Sequence, residues 1–226
     1  FRIMSKLRDI IKRITKPILK FGLDLYYRKP RSYKHQGIQV LVHPEVFPPH
    51  LTLSTKILLD FIAELDLSKK SFLELGCGSG IISLFARSKK ATVTASDINK
   101  TALEYLKKAS EENNLEVDCV YSNLFENLQN KYFDFILINP PYYPKKPKNI
   151  KEQAWFCGDD FQYFKKLFNQ LPLYINKKNQ TYMILSEDCE FKTISEIASV
   201  NKLNLKTVFE TSKMGEKNTI YQITTT

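Results

Sequence analysis

From about residue 70 to the C-terminus, short apolar runs alternate with stretches in which apolar residues recur every third or fourth position. The runs read SFLELG (71–76), ATVTASD (91–97), VDCVYSN (117–123), YFDFILIN (132–139) and TYMILSE (181–187). They are rich in β-branched or aromatic residues and bounded by polar positions, which predicts strands. Helices are predicted between them, over 81–88, 100–112, 159–171 and 191–200. In the second, Ala102, Leu106 and Ala109 share a face; in the third, Phe161, Phe164, Leu167, Phe168 and Leu171 form an apolar stripe. Such alternation builds a mainly parallel sheet covered on both faces. Two last runs, LKTVFET (205–211) and TIYQITT (219–225), are separated by a turn around Met214 and Gly215. That joint is too short for a crossover helix, so this pair is expected to run antiparallel.

Upstream, Leu7, Ile10, Ile11, Ile14, Ile18, Phe21 and Leu25 recur at helical steps, with Pro17 bending or dividing the segment. Charge changes the picture here. The chain carries a formal +10, and residues 1–37 hold 11 Lys and Arg against Asp9 and Asp24, leaving 23 basic and 22 acidic residues for everything after. A nearly neutral domain, 38–226, therefore follows a basic amphipathic segment, 1–37. Three readings stand for that segment: packing on the domain with solvated lysines, an arm for nucleic-acid phosphates, or contact with an anionic membrane surface.

The 226 residues, 43% apolar, can bury one principal core. No run reaches the roughly 18–20 apolar residues of a membrane span, and the N-terminus lacks the order of a secretory signal, so a cytoplasmic protein is expected. Cys77, Cys119, Cys157 and Cys189 are isolated, which indicates reduced thiols and no metal site.

The stretch LELGCGSG (73–80) ends a strand in three alternate glycines and opens a helix. Glycines let backbone approach a ligand closely. Asp97, at the end of the next strand and 17 residues after Gly80, is placed for the hydroxyls of a ribose, with Ile98 able to cover an adenine. Nicotinamide and methyl-donor nucleotides both satisfy this much. Glu74 separates them, because a carboxylate repels a pyrophosphate and attracts a cationic amino-acid group. These residues resemble the class I S-adenosylmethionine-dependent methyltransferases. The resemblance implies an α/β, Rossmann-like, seven-stranded mainly parallel sheet with a C-terminal antiparallel hairpin and helices on both faces. It also implies S-adenosyl-L-methionine as cofactor, with Glu74, Gly76, Cys77, Gly78 and Gly80 at its methionine end, Asp97 on the ribose, and Ile98, Asn123 and Leu124 at the adenine.

The run NPPY (139–142) closes another strand, where ligands bind in open α/β folds. It is similar to the signature of methyltransferases that modify a nitrogen of a planar group, either a base amine or a glutamine amide. Such a nitrogen has a delocalised lone pair and attacks poorly until acceptors hold its hydrogens. The side-chain carbonyl of Asn139 and the backbone carbonyl of Pro140 supply two. Pro140 and Pro141 stiffen the turn, and Tyr142 can stack on the flat group. Residues 43–61 resemble the segment preceding the core in release-factor glutamine methyltransferases and in tRNA and rRNA amino methyltransferases, which places Thr55, with Ser54 and Phe47, over the cofactor. His43 and His50 read as loop or packing residues. Lys145, Lys146, Lys148 and Lys151 follow the motif, and Tyr143 adds an aromatic. An RNA base, more than a DNA base, is the expected substrate; a protein glutamine is the alternative.

Overall fold

The structure, a computed structural model, describes residues 28–49, 52–213 and 215–226. The amphipathic pattern over 7–25 and the reading of His50 lie outside the described residues.

A hairpin comes first, β1 (Arg31–His35) and β2 (Ile38–Val42). Its turn places Gln36 and Gly37 at φ 45° and 88°, the left-handed pair that a two-residue hairpin requires. Residues 31–37, grouped by charge with the basic segment, thus pair with the start of the domain. Helix α1 (Leu53–Ala63) follows, then β3 (Ser71–Leu75), α2 (Ile81–Ser88), β4 (Thr92–Asp97), α3 (Lys100–Glu112), β5 (Asp118–Tyr121) and β6 (Phe135–Ile138). The remainder is α4 (Ile150–Gln153), α5 (Gln162–Gln170), β7 (Gln180–Ser186), α6 (Phe191–Val200), β8 (Leu203–Lys213) and β9 (Glu216–Thr225).

Strands β3 to β9 form one sheet in the order β5-β4-β3-β6-β7-β9-β8, parallel except for β9, which runs antiparallel to both neighbours. Alternating side chains divide the interior in two. Phe72, Phe135, Leu137, Tyr182 and Ile184 face a core shared with α1, α2, α3 and the first hairpin. Leu73, Leu75, Ile136, Ile138, Met183 and Leu185 face a second core, filled by Phe164, Leu167 and Phe168 of α5 and Ile194 and Ala198 of α6. Both phenylalanines are fully buried, and truncating either to alanine is expected to cost ~3–5 kcal/mol.

The differences from the sequence pattern have local causes. Helix α5 begins at Gln162 instead of 159 because Gly158 and Phe161 take positive φ, which a right-handed helix cannot pass through. Strands β8 and β9 extend well past their apolar runs. Much of β8 is exposed, so its length is held by ladder bonds with β9 that leave no hydrophobic trace. Among the described residues no helix is long and apolar enough to cross a membrane.

Candidate active site

Strand β3 pairs with β4 on one side and β6 on the other, with Leu75 opposite both Ser96 and Ile138. The connection changes direction at this place, so the loops leaving β3 and β6 open side by side at the carboxyl edge. The glycine loop therefore emerges beside Asn139. Its start is held to β4: the N–H groups of Gly76 and Cys77 both donate to the carbonyl of Ser96, at 2.8 and 2.9 Å. A Cβ on Gly76 would meet nothing within 4 Å, so this backbone faces open space. Gly80 has a different task. Its φ is 73°, and a Cβ there would lie 2.3 Å from Leu106 Cδ1, so it lets α2 start tight against α3.

A cavity of about 860 Å³ occupies this edge, within the range of sites that enclose nucleotide-sized ligands. Of the residues expected from sequence, Glu74, Gly76, Cys77, Gly78, Asp97, Ile98, Asn123, Leu124, Thr55 and all of Asn139, Pro140, Pro141 and Tyr142 line it; Gly80 does not.

Two buried carboxyls sit in its wall. Glu74 Oε2 accepts from the N–H of Ser83, at 2.8 Å, and from the Ser83 hydroxyl, within the first turn of α2. Burial pushes its pKa up to about 8 against those two bonds. Asp97 accepts through Oδ2 from the Gly78 N–H and through Oδ1 from the Asn99 N–H, each at 2.8 Å, and burial raises its pKa as well. Burying a carboxylate is costly unless a cation or enough donors compensate. Here hydrogen bonds compensate in part, and each carboxyl retains acceptor capacity toward the cavity. Ser96 Oγ, also in the wall, is buried without a hydrogen-bond partner among the described residues. A ligand that brings a cationic amine to Glu74 and hydroxyls to Asp97 fits this wall, and S-adenosylmethionine carries both.

In the cavity wall Leu124 holds φ 55° though it is neither glycine nor asparagine, and the Ser122 hydroxyl donates to its carbonyl at 2.7 Å. Tyr163 of α5 also reaches the cavity; burial, then nearby Asp97, raises its hydroxyl pKa. The segment before α1 closes the opposite side. Asn99 Nδ2 donates to the Glu45 carbonyl at 3.1 Å, while Asn99 Oδ1 caps α3 by accepting from the Thr101 N–H.

The other end is built from more distant pieces. Asn139 Nδ2 donates to Ser54 Oγ of α1 at 3.3 Å. The Tyr142 and Tyr143 rings lie 4.8 Å apart, and burial, above all, raises the Tyr142 hydroxyl pKa. Beyond them the chain loops out and returns: the Tyr143 N–H donates to the Trp155 carbonyl at 3.2 Å, and the Cys157 N–H to the Tyr143 carbonyl at 2.9 Å. That return sets Trp155 against Phe47, ring centroids 4.7 Å apart, across the mouth. Lys145 Nζ sits 4.6 Å from the Phe156 ring centroid, and Lys146 and Glu216 line the rim. Sequence reasoning missed Trp155, Tyr163, Glu45 and Glu216. Trp155 alone left a signal, as the single tryptophan. His43 packs its ring 5.2 Å from that of Tyr105.

The profile of the methyltransferase small domain matches residues 37–224. Ribosomal RNA small subunit methyltransferase C of Actinobacillus pleuropneumoniae is 36% identical over 177 residues, 73% of this chain but 54% of that protein. The chain thus spans about half the length of these ribosomal RNA relatives. A candidate protein N5-glutamine methyltransferase of Methanocaldococcus jannaschii is 31% identical over 174 residues, covering 74% of this chain and 83% of the relative. Among solved structures, the T. thermophilus 16S rRNA N2 G1207 methyltransferase, in complex with S-adenosylmethionine and guanosine, superposes with a TM-score of 0.62 at 16% identity, over 86% of this chain and 50% of that one. The match along nearly the whole described domain, together with the donor-shaped wall around Glu74 and Asp97, places this chain in the methyltransferase small-domain family of S-adenosylmethionine-dependent enzymes.

Proposed function

We propose that this enzyme methylates an amino nitrogen of a base in RNA, in the cytoplasm. The observation that carries the reading is the juxtaposition of Asn139, Pro140 and Tyr142 with the donor wall in one cavity. S-adenosylmethionine supplies an electrophilic methyl group on a cationic sulfur. Glu74 holds the amine of its amino-acid end, Asp97 the ribose hydroxyls, and Ile98, Asn123, Leu124 and Tyr163 surround the base. Gly76, Cys77 and Gly78 give that end a backbone floor, and Thr55 closes on it from α1.

The substrate nitrogen donates its two hydrogens to Asn139 Oδ1 and the Pro140 carbonyl, which concentrates its lone pair toward the methyl carbon. The prolines fix those acceptors in advance. Tyr142, packed against the Tyr143 ring, offers a ring face for the flat group. Most of the rate then comes from alignment and from water kept out behind Phe47 and Trp155.

Aromatic rings beside lysines at the rim support a nucleic-acid substrate, since rings stack on unstacked bases and lysines neutralise phosphates. The ribosomal RNA relatives agree in chemistry. The glutamine reading rests on a specific observation of its own, the archaeal relative aligned over most of its length. The deciding experiment incubates the enzyme and methyl-labelled S-adenosylmethionine with extract of cells lacking it, then digests with ribonuclease or protease. Label released by ribonuclease supports the RNA reading; label released only by protease replaces it with the glutamine reading.

A further inference from the structure

We propose that the amino edge of the sheet, opposite the active site, is a second RNA-binding surface that holds backbone phosphates of a large RNA; the inference rests on the RNA reading above. The glycine loop and NPPY leave β3 and β6 at the carboxyl edge. The turns that lead into β3, β4, β7 and β8 therefore open on the far side of the sheet. Lysines gather in them. Lys69 and Lys70 precede β3, Lys90 precedes β4, Lys177 and Lys178 precede β7, and Lys202 precedes β8.

All six are exposed, and among the described residues the lysine ion pairs belong to other lysines. Backbone bonds tie the turns together. The Lys69 N–H donates to the Lys90 carbonyl at 3.0 Å, the Thr92 N–H to the Lys70 carbonyl at 2.8 Å, and the Gln180 N–H to the Asp134 carbonyl at 2.8 Å. Neighbouring strands stand about 4.8 Å apart, so the row from β4 across β3, β6, β7 and β9 to β8 is about 24 Å long.

Acids do not balance this row. Its turns, 64–70, 89–91, 174–179 and 201–202, hold two, Glu64 and Asp66, and Asp66 accepts from the Ser68 N–H. Asp134, just before β6, is engaged by the N–H and hydroxyl of Ser71, each at 2.8 Å. Residues 38–226 as a whole carry 23 basic against 22 acidic residues, so a surplus of lysine here is matched by a surplus of acid elsewhere. At the mouth, Lys146 shares the rim with Glu216. Solvation alone gives lysines no reason to collect at one edge of a nearly neutral domain, whereas a polyanionic partner does. Strand β7, seven residues long, puts about 23 Å between the two edges. A short RNA that fills the active site cannot touch the lysine row; a long or folded one can.

Three of the lysines allow a test that spares the fold. Lys69, Lys90 and Lys202 hold φ of 60°, 68° and 57°, a region glycine enters without steric cost, so glycine removes the charge and keeps the turn. The triple variant Lys69→Gly, Lys90→Gly, Lys202→Gly should melt within a few degrees of the wild type. Its slope of log affinity for purified small-subunit ribosomal RNA against log salt should fall by about three. KM for that RNA should rise with kcat unchanged. Turnover of a short single-stranded oligonucleotide and calorimetric affinity for S-adenosylmethionine should stay as they were. A second variant, Lys177→Ala with Lys178→Ala in an exposed loop, should lower the slope by about two.

An unchanged slope in both variants overturns the proposal, as does an equal loss with the short oligonucleotide. Wild-type binding to phosphatidylserine vesicles that exceeds binding to RNA and is lost in the triple variant overturns it in favour of a membrane surface. Should methyl label enter protein alone, the proposed reaction fails, while the salt slope, which needs no turnover, still decides whether this edge holds RNA.

Discussion

The two ends of the cavity are made differently. The two carboxyls proposed to hold the donor, Glu74 and Asp97, lie 23 residues apart in one stretch and are held by nearby backbone amides, Ser83 on Glu74 and Gly78 and Asn99 on Asp97. The acceptor end gathers Phe47 and Ser54 from before the sheet, Asn139 to Tyr143 after β6, Trp155 from a returning loop and Glu216 from the last hairpin. Local secondary structure fixes the first, and tertiary packing fixes the second. A family can therefore keep one donor site while the acceptor end is rebuilt for different substrates.

The largest test of this contrast is Asn139→Ala. Removing a preorganised group that acts on the reacting centre typically costs ~10²–10³-fold in turnover. Transfer of labelled methyl should fall by that much while calorimetric binding of S-adenosylmethionine is unchanged. Equal loss of both would mean that the ends are not separable.

The same contrast explains what the sequence made legible. Strand, glycine turn, helix, strand and acid follow one another between residues 71 and 97, so periodicity and spacing were enough to bound α2 and to bring Glu74, Gly76 and Asp97 to one cavity. NPPY stands out because two prolines cannot extend a strand, and its reading comes from the signature it resembles; the structure adds that the motif lines the cavity. Tyr163 and Glu216 lie on a helix face and at a hairpin tip, where no local pattern distinguishes them from their neighbours, and Trp155, in a loop, stands out only as the single tryptophan. Their role exists only once the sheet order brings β6, α5 and β9 to one edge. The first hairpin was missed for a smaller reason: Ile38, Val40 and Val42 alternate, but the turn is Gln-Gly and charge dominated the reading of 31–37.

Gly80 sharpens the donor half. It sits in the glycine motif yet does not line the cavity, so its replacement should act on stability first. Gly80→Ala adds a methyl 2.3 Å from Leu106 Cδ1 at a φ of 73°. The combined overpacking and backbone strain should cost ~2–3 kcal/mol, read as a fall in the denaturant midpoint. Saturating S-adenosylmethionine should recover part of it through binding. A midpoint unchanged by the substitution would return Gly80 to the cofactor floor.

A smaller effect separates the ends by pH. Glu74 titrates near 8 in the folded protein, above its ordinary value of about 4.5. Between those values the folded state keeps a proton that the unfolded state has released, so this group's contribution to stability is full below the lower value and fades as pH rises through the upper. Glu74→Gln removes the titration. Without cofactor, its Tm should match the wild type near pH 5 and exceed it by a few degrees near pH 9, a shift of about 1 kcal/mol or more in a domain of this size. Parallel Tm curves for the two proteins would show that the carboxyl is not protonated in the empty site.

The rim lysines give the smallest effect and the most direct test of the acceptor half. Each lysine that neutralises a phosphate contributes about one to the slope of log affinity against log salt, whatever the RNA sequence. Lys146 lines the cavity, so Lys146→Ala should reduce that slope by about one and weaken RNA binding uniformly. Lys145 has a second partner, the Phe156 ring 4.6 Å away. Exchanging it for alanine should also loosen the returning loop and with it the Phe47–Trp155 contact. That contact can be followed through the fluorescence of the single tryptophan. A Lys145→Ala variant that shifts Trp155 emission and lowers the salt slope joins the loop to phosphate binding. One that shifts emission and leaves the slope unchanged confines Lys145 to holding the loop.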